Sequence, residues 1–70
     1  MSDIIKTRDG HTISHGDWLE DTTGMYEVRS IDSSFVYLKE VILDEDNPEN
    51  YSFGDDRRLL HSEIRHMTYN

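Results

Sequence analysis

Residues 25–43 read MYEVRSI-DSS-FVYLKEVIL, two apolar-patterned runs around a short polar link. In residues 25–31, Tyr26 and Val28 alternate with Glu27 and Arg29, a period of two whose aromatic and β-branched content favours a half-buried strand. Residues 35–43 are longer and more apolar: Val36, Leu38 and Ile42 fall on one side, Phe35, Tyr37, Val41 and Leu43 on the other. Asp32-Ser33-Ser34 between them is the kind of short polar link that closes a hairpin, so the two runs are expected to pair antiparallel.

Working outward, Asp21-Thr22-Thr23-Gly24 is a second turn, with a glycine free to take a positive φ, and makes residues 17–20 the preceding strand of a meander. Further upstream, residues 4–7 and 12–14 flank an Asp9-Gly10 hairpin signal, which predicts a short, peripheral N-terminal hairpin or arm over residues 1–15. Downstream, residues 59–67 carry Leu59, Leu60, Ile64 and Met67, and His61-Ser62-Glu63-Ile64 reads as a single turn leading into a closing strand.

The layout of a GDWLED entry strand, a TTGMYEV turn and strand, the long FVYLKEVIL strand, a variable loop and an LLHSEIRHM ending resembles the SH3-like small barrel across residues 16–68. The resemblance implies a mostly β fold, a small five-stranded antiparallel barrel with a short 3-10 or helical turn near the C-terminus. It also implies a binding module, since barrels of this class serve as such in translation, transcription, signalling and phage proteins. The nucleic-acid binders among them carry basic faces, and this chain does not.

Composition bounds the rest. Seventy residues form a single domain, 1–70, with a small core, because a chain this short buries only about 60% of the surface its unfolded form exposes. There is no cysteine, which excludes disulfides and thiolate metal sites. The N-terminus MSDIIKTRDG lacks the apolar run of a signal peptide, and no stretch is long enough to span a membrane, so the expected location is the cytoplasm.

The 15 Asp and Glu against 7 Lys and Arg give a net charge of −8. Six of the acids and no base lie in residues 44–56, DEDNPENYSFGDD, which is expected to be an acidic loop. Asp44, Asp46 and Asp55 fall where positions one, three and twelve of a calcium loop would supply oxygens, but Pro48 and Glu49 stand where an oxygen ligand and a glycine are needed, and the flanks read as strand. His11 and His15 are four apart beside Gly10 and Gly16, and His61 and His66 lie far along the chain, so no closed zinc set is legible. Ser14 and Ser62 neighbour histidines without an oriented base or oxyanion donors. No enzymatic activity, metal or cofactor is therefore expected.

Of the aromatic residues, Trp18, Tyr26 and one of Phe35 or Tyr37 are assigned to the core. Tyr51 and Phe53 are left to pin the acidic loop or to touch a partner. The expected function is a non-enzymatic acidic protein-interaction module. Asp44, Glu45, Asp46, Glu49, Asp55 and Asp56 attract a basic protein surface, and Tyr51 and Phe53 make the contact. A phage or mobile-element inhibitor of a host nucleic-acid-binding enzyme, acting partly as a nucleic-acid mimic, is a concrete case; direct nucleic-acid binding and membrane binding are not expected. The competing expectation is a small structural or assembly protein that self-associates, as a homodimer for example, through an exposed strand, with the second face of residues 35–43 as the contact.

Overall fold

The structure, a computed structural model, describes residues 4–47 and 49–69. Residues 1–3, Pro48 and Asn70, which the sequence reading placed in the N-terminal arm, the acidic loop and the chain end, lie outside the described residues. Five antiparallel strands form one sheet: β1 (Trp18–Asp21), β2 (Gly24–Ile31), β3 (Phe35–Leu43), β4 (Tyr51–Leu60) and β5 (Thr68–Tyr69), in the order β4-β3-β2-β1-β5. A 3-10 helix, His61–His66, separates the last two strands and carries β5 back to pair with β1. The strands β4 and β5 are the two edges, and the sheet is open between them where a closed barrel was expected.

The central hairpin forms as its sequence predicts. Val28 pairs with Leu38 and Ile31 with Val36. The turn is set by Asp32, whose Oδ1 accepts the backbone N–H groups of Ser34 and Phe35 at 2.8 and 2.5 Å, an Asx arrangement that satisfies two donors at the start of β3. One face of the sheet buries Leu19, Tyr26, Val28, Val36, Leu38 and Leu59, and Ile64 from the 3-10 helix and Met67 close over it.

The N-terminal segment is less regular and less peripheral than expected. It makes a single bridge, Lys6 to Thr12, instead of two strands. Yet Ile5 and Ile13 are buried in the core, and the Arg8 N–H is held by the Met67 carbonyl at 2.7 Å. The arm thereby adds two aliphatic side chains to a core that a chain this short keeps small.

Two of the three aromatic core assignments change. Trp18 pairs with Glu27, so alternation sends Leu19 inward and Trp18 to the opposite face; Phe35 and Tyr37 likewise alternate with the buried Val36 and Leu38. Tyr26 is the aromatic residue of the core. The acidic loop also shrinks: residues 44–50 connect the strands, while Tyr51, Phe53, Asp55 and Asp56 belong to β4. This strand was hidden because an extra residue interrupts its alternation. Lys39 faces Asp56 and Val41 faces Phe53, so Glu40 opposes both Gly54 and Asp55, a β-bulge. Finally, β3 lies inside the sheet, paired with β2 along one edge and β4 along the other.

Candidate functional site

The β3–β4 hairpin outruns the rest of the sheet. Met25, the second residue of β2, pairs with Val41, so Ile42 and Leu43 on β3, and Ser52 and Tyr51 opposite them on β4, extend past the end of the β2–β3 register. The molecule is accordingly elongated, 44 × 22 × 18 Å, and a nine-residue strand such as β3 accounts for about 30 Å of that length. Apolar side chains at this end cannot reach the core: Tyr51 is 48% and Phe53 39% exposed, and Ile42 and Leu43 are exposed as well.

On the face opposite the core, Leu43, Tyr51 and Phe53 line up with Val41, which is buried between Met25 and Phe53 in the register yet stands outside the main core cluster. Tyr51 meets Trp18 edge-on with ring centres 5.0 Å apart and meets Phe53 edge-on at 5.6 Å, geometries that the ring quadrupoles favour. Trp18 is fixed in turn by its indole N–H, which donates to Glu27 Oε1 at 3.0 Å, while Arg29 donates to Glu27 Oε2 at 2.5 Å and lies 5.3 Å from the Phe53 ring centre. Burial raises the Glu27 carboxyl, but the Arg29 and Trp18 hydrogen bonds outweigh it and hold the group below the ordinary glutamate value. The result is an ordered aromatic strip on an exposed sheet face. Alternation of Trp18 with Leu19 was the signal for it, and the size of the indole masked that signal.

Above the strip stands the acidic turn. The Asn50 carbonyl accepts the Asp44 N–H at 3.1 Å, the Asn47 carbonyl accepts the Asn50 N–H at 2.9 Å, and Asp44 Oδ1 accepts the Asp46 N–H at 3.0 Å. Asp44, Glu45, Asp46 and Glu49 are all exposed, and none makes an ion pair among the described residues. A shallow depression under the turn is lined by Ile42, Leu43, Asp44, Asn50, Tyr51 and Ser52. The other two acids of the sequence window are set apart from these four. Asp56 faces Lys39 at 3.4 Å on the aromatic face, and Asp55 sits in the bulge. Four of the six acids thus form a cluster at the tip of the hairpin.

The candidate ligand sets of the sequence are dispersed. Among the described residues no three His, Asp or Glu side chains come together as a cation site. His11 Nε2 lies 2.8 Å from Asp17 Oδ2 and stacks on Tyr69 with ring centres 3.6 Å apart, and His61 Nε2 lies 2.8 Å from the Asp32 carbonyl, so both imidazoles tie segments of the fold together. Ser14 Oγ donates to Asp17 Oδ2 at 3.2 Å and so serves the same junction. Among the described residues no helix is long and apolar enough to cross a membrane. Comparison with family models, curated proteins and solved structures finds no match for this chain.

Proposed function

We propose that the chain is a non-enzymatic interaction module of SH3-like type that docks on a basic protein surface through its β3–β4 hairpin. The SH3-like assignment is supported by the meander of four strands followed by a 3-10 turn that returns the fifth strand to the first. The docking role rests on one observation: an exposed, ordered aromatic strip lies directly beneath four exposed acids that have no ion-pair partner among the described residues. Charge of this kind accelerates encounter with an oppositely charged surface, and the aromatic contact slows separation. The surface of a host nucleic-acid-binding enzyme is a partner of the right sign, and inhibition of such an enzyme by a phage or mobile-element protein is the biological setting this reading favours. The clustering of the acids at a tip favours steering over imitation of evenly spaced phosphates.

The test begins with capture of proteins on the immobilised chain at low salt and their release at high salt. A released protein with a basic surface that rebinds the wild-type chain and loses affinity to Tyr51→Ala and Phe53→Ala would support the role. Capture that these substitutions leave unchanged would remove the hairpin from it.

A further inference from the structure

The outer edge of β4 is unpaired within the sheet, and its sequence, YSFGDDRRLL, is complementary to itself when reversed. We propose that two copies of the chain associate through this edge, β4 against β4, into a continuous ten-stranded antiparallel sheet with a two-fold axis at Arg57. Edge pairing about a two-fold axis perpendicular to the sheet keeps each face on its own side, so residues that meet across the seam must share a face.

The bulge makes this register work. Asp56, Arg58 and Leu60 face Lys39, Tyr37 and Phe35 of β3, and Phe53 faces Val41, so all four lie on the aromatic side. Counting outward from Arg57, one step in either direction brings Asp56 of one copy opposite Arg58 of the other. Three steps toward the C-terminus reach Leu60. Three steps the other way, with the extra bulge residue absorbed, reach Phe53. The seam on this face therefore reads Phe53–Leu60, Asp56–Arg58, Arg58–Asp56, Leu60–Phe53, opposite charges and apolar pairs throughout, and cross-strand pairs of these kinds are the stabilising ones. Phe53 and Leu60, both exposed in the single copy, become covered. On the core face Arg57 meets its own symmetry mate, but its guanidinium is drawn inward, donating to Tyr26 Oη and Thr23 Oγ1 at 2.9 Å each.

A second, separate feature agrees with the same register. Tyr51 of one copy comes level with Ser62 of the other, which carries the acidic turn alongside the far end of the molecule. That end holds Lys6, Arg8 and Arg65 around shared depressions, and none of the three makes an ion pair among the described residues. The negative tip of each copy thus lies beside the positive end of its mate.

Phe53 serves both this seam and the docking strip, so the two associations compete for it; a strictly monomeric chain would remove the seam and leave the docking role of the hairpin untouched. Sedimentation equilibrium of the purified full chain over a wide dilution range tests it. The expected result is a monomer–dimer equilibrium whose dissociation constant rises roughly tenfold for Arg58→Asp alone and for Asp56→Arg alone, since each places like charges at both symmetric pairs. An equimolar mixture of the two variants should recover dimer, because the copy with acids at both seam positions then faces the copy with bases at both. A readout that needs no variant is amide exchange along β4, which should slow as wild-type concentration rises. Monomer at every concentration, dimer indifferent to both charge changes, or β4 exchange independent of concentration would each overturn the proposal.

Discussion

Arg57 illustrates how single side chains complete a core that is short of apolar residues. Its guanidinium lies 5.0 Å from the centre of the Tyr26 ring, donates to Tyr26 and Thr23, and stands 3.5 Å from Asp21. Burial raises the Asp21 carboxyl, while the Thr23 hydroxyl and N–H, the Arg57 charge and the Gly24 N–H outweigh it and hold the group below the ordinary aspartate value. Asp17 is lowered too: burial opposes the charge, and His11 and Ser14 overcome it. Carboxyls lowered in the folded state contribute stability that is complete above their unfolded pKa and is lost as pH falls through the folded one. With Asp17, Asp21 and Glu27 all lowered, urea midpoints should be level near neutrality and drop below about pH 4, whereas a flat profile down to about pH 2.5 would contradict these pairings. At Gly16, φ is +87° with open space around it, so Gly16→Ala should cost about 1 kcal/mol through backbone strain alone, read as a lower urea midpoint with unchanged slope. Val28 and Leu38 face each other in the middle of the core, both fully buried. Replacing either with Asp buries an unpaired carboxylate at a cost of several kcal/mol, comparable to the roughly 5 kcal/mol available to a small domain, so thermal melting should show no cooperative transition.

At the scale of elements, legibility followed regularity. The hairpin of β2 and β3 could be read because two uninterrupted alternating runs flank an Asx turn, and the three signals agree. The strand β4 could not, since its bulge at Gly54 and Asp55 breaks the period and its acids look like loop. That Tyr51, Phe53 and the four tip acids are exposed was legible from the sequence, whereas Trp18, Leu43 and Arg29 join them only through the register and ring contacts that gather them on one face. Likewise the burial of Ile5 and Ile13 follows from the demand of a small core, which no local pattern announces. Because the tip acids hold no ion pair among the described residues, neutralising Asp44→Asn, Glu45→Gln, Asp46→Asn and Glu49→Gln together removes, within a single copy, only their mutual repulsion. Circular dichroism should show the same fold, with a melting temperature equal to or above that of the wild-type chain. A large fall would mean that the turn is held by its charges.

Taken whole, the molecule is polar along its 44 Å length, with the acidic hairpin tip at one end of β4 and Lys6, Arg8 and Arg65 gathered at the other. A net charge of −8 still dominates at a distance, so approach to polyanions is disfavoured and approach to basic surfaces is favoured. Duplex or single-stranded nucleic acid should not be retained by the chain at physiological salt in a filter-binding assay. Docking through the hairpin is tested by surface plasmon resonance at low salt, with the basic protein captured by the wild-type chain as analyte over the wild-type and the four-fold neutralised surfaces. Docking through the hairpin predicts a slower association rate and a shallower salt dependence for the neutralised chain, with dissociation little changed. An unchanged association rate from a folded variant would contradict it and leave residues 44–50 as a solvated connection.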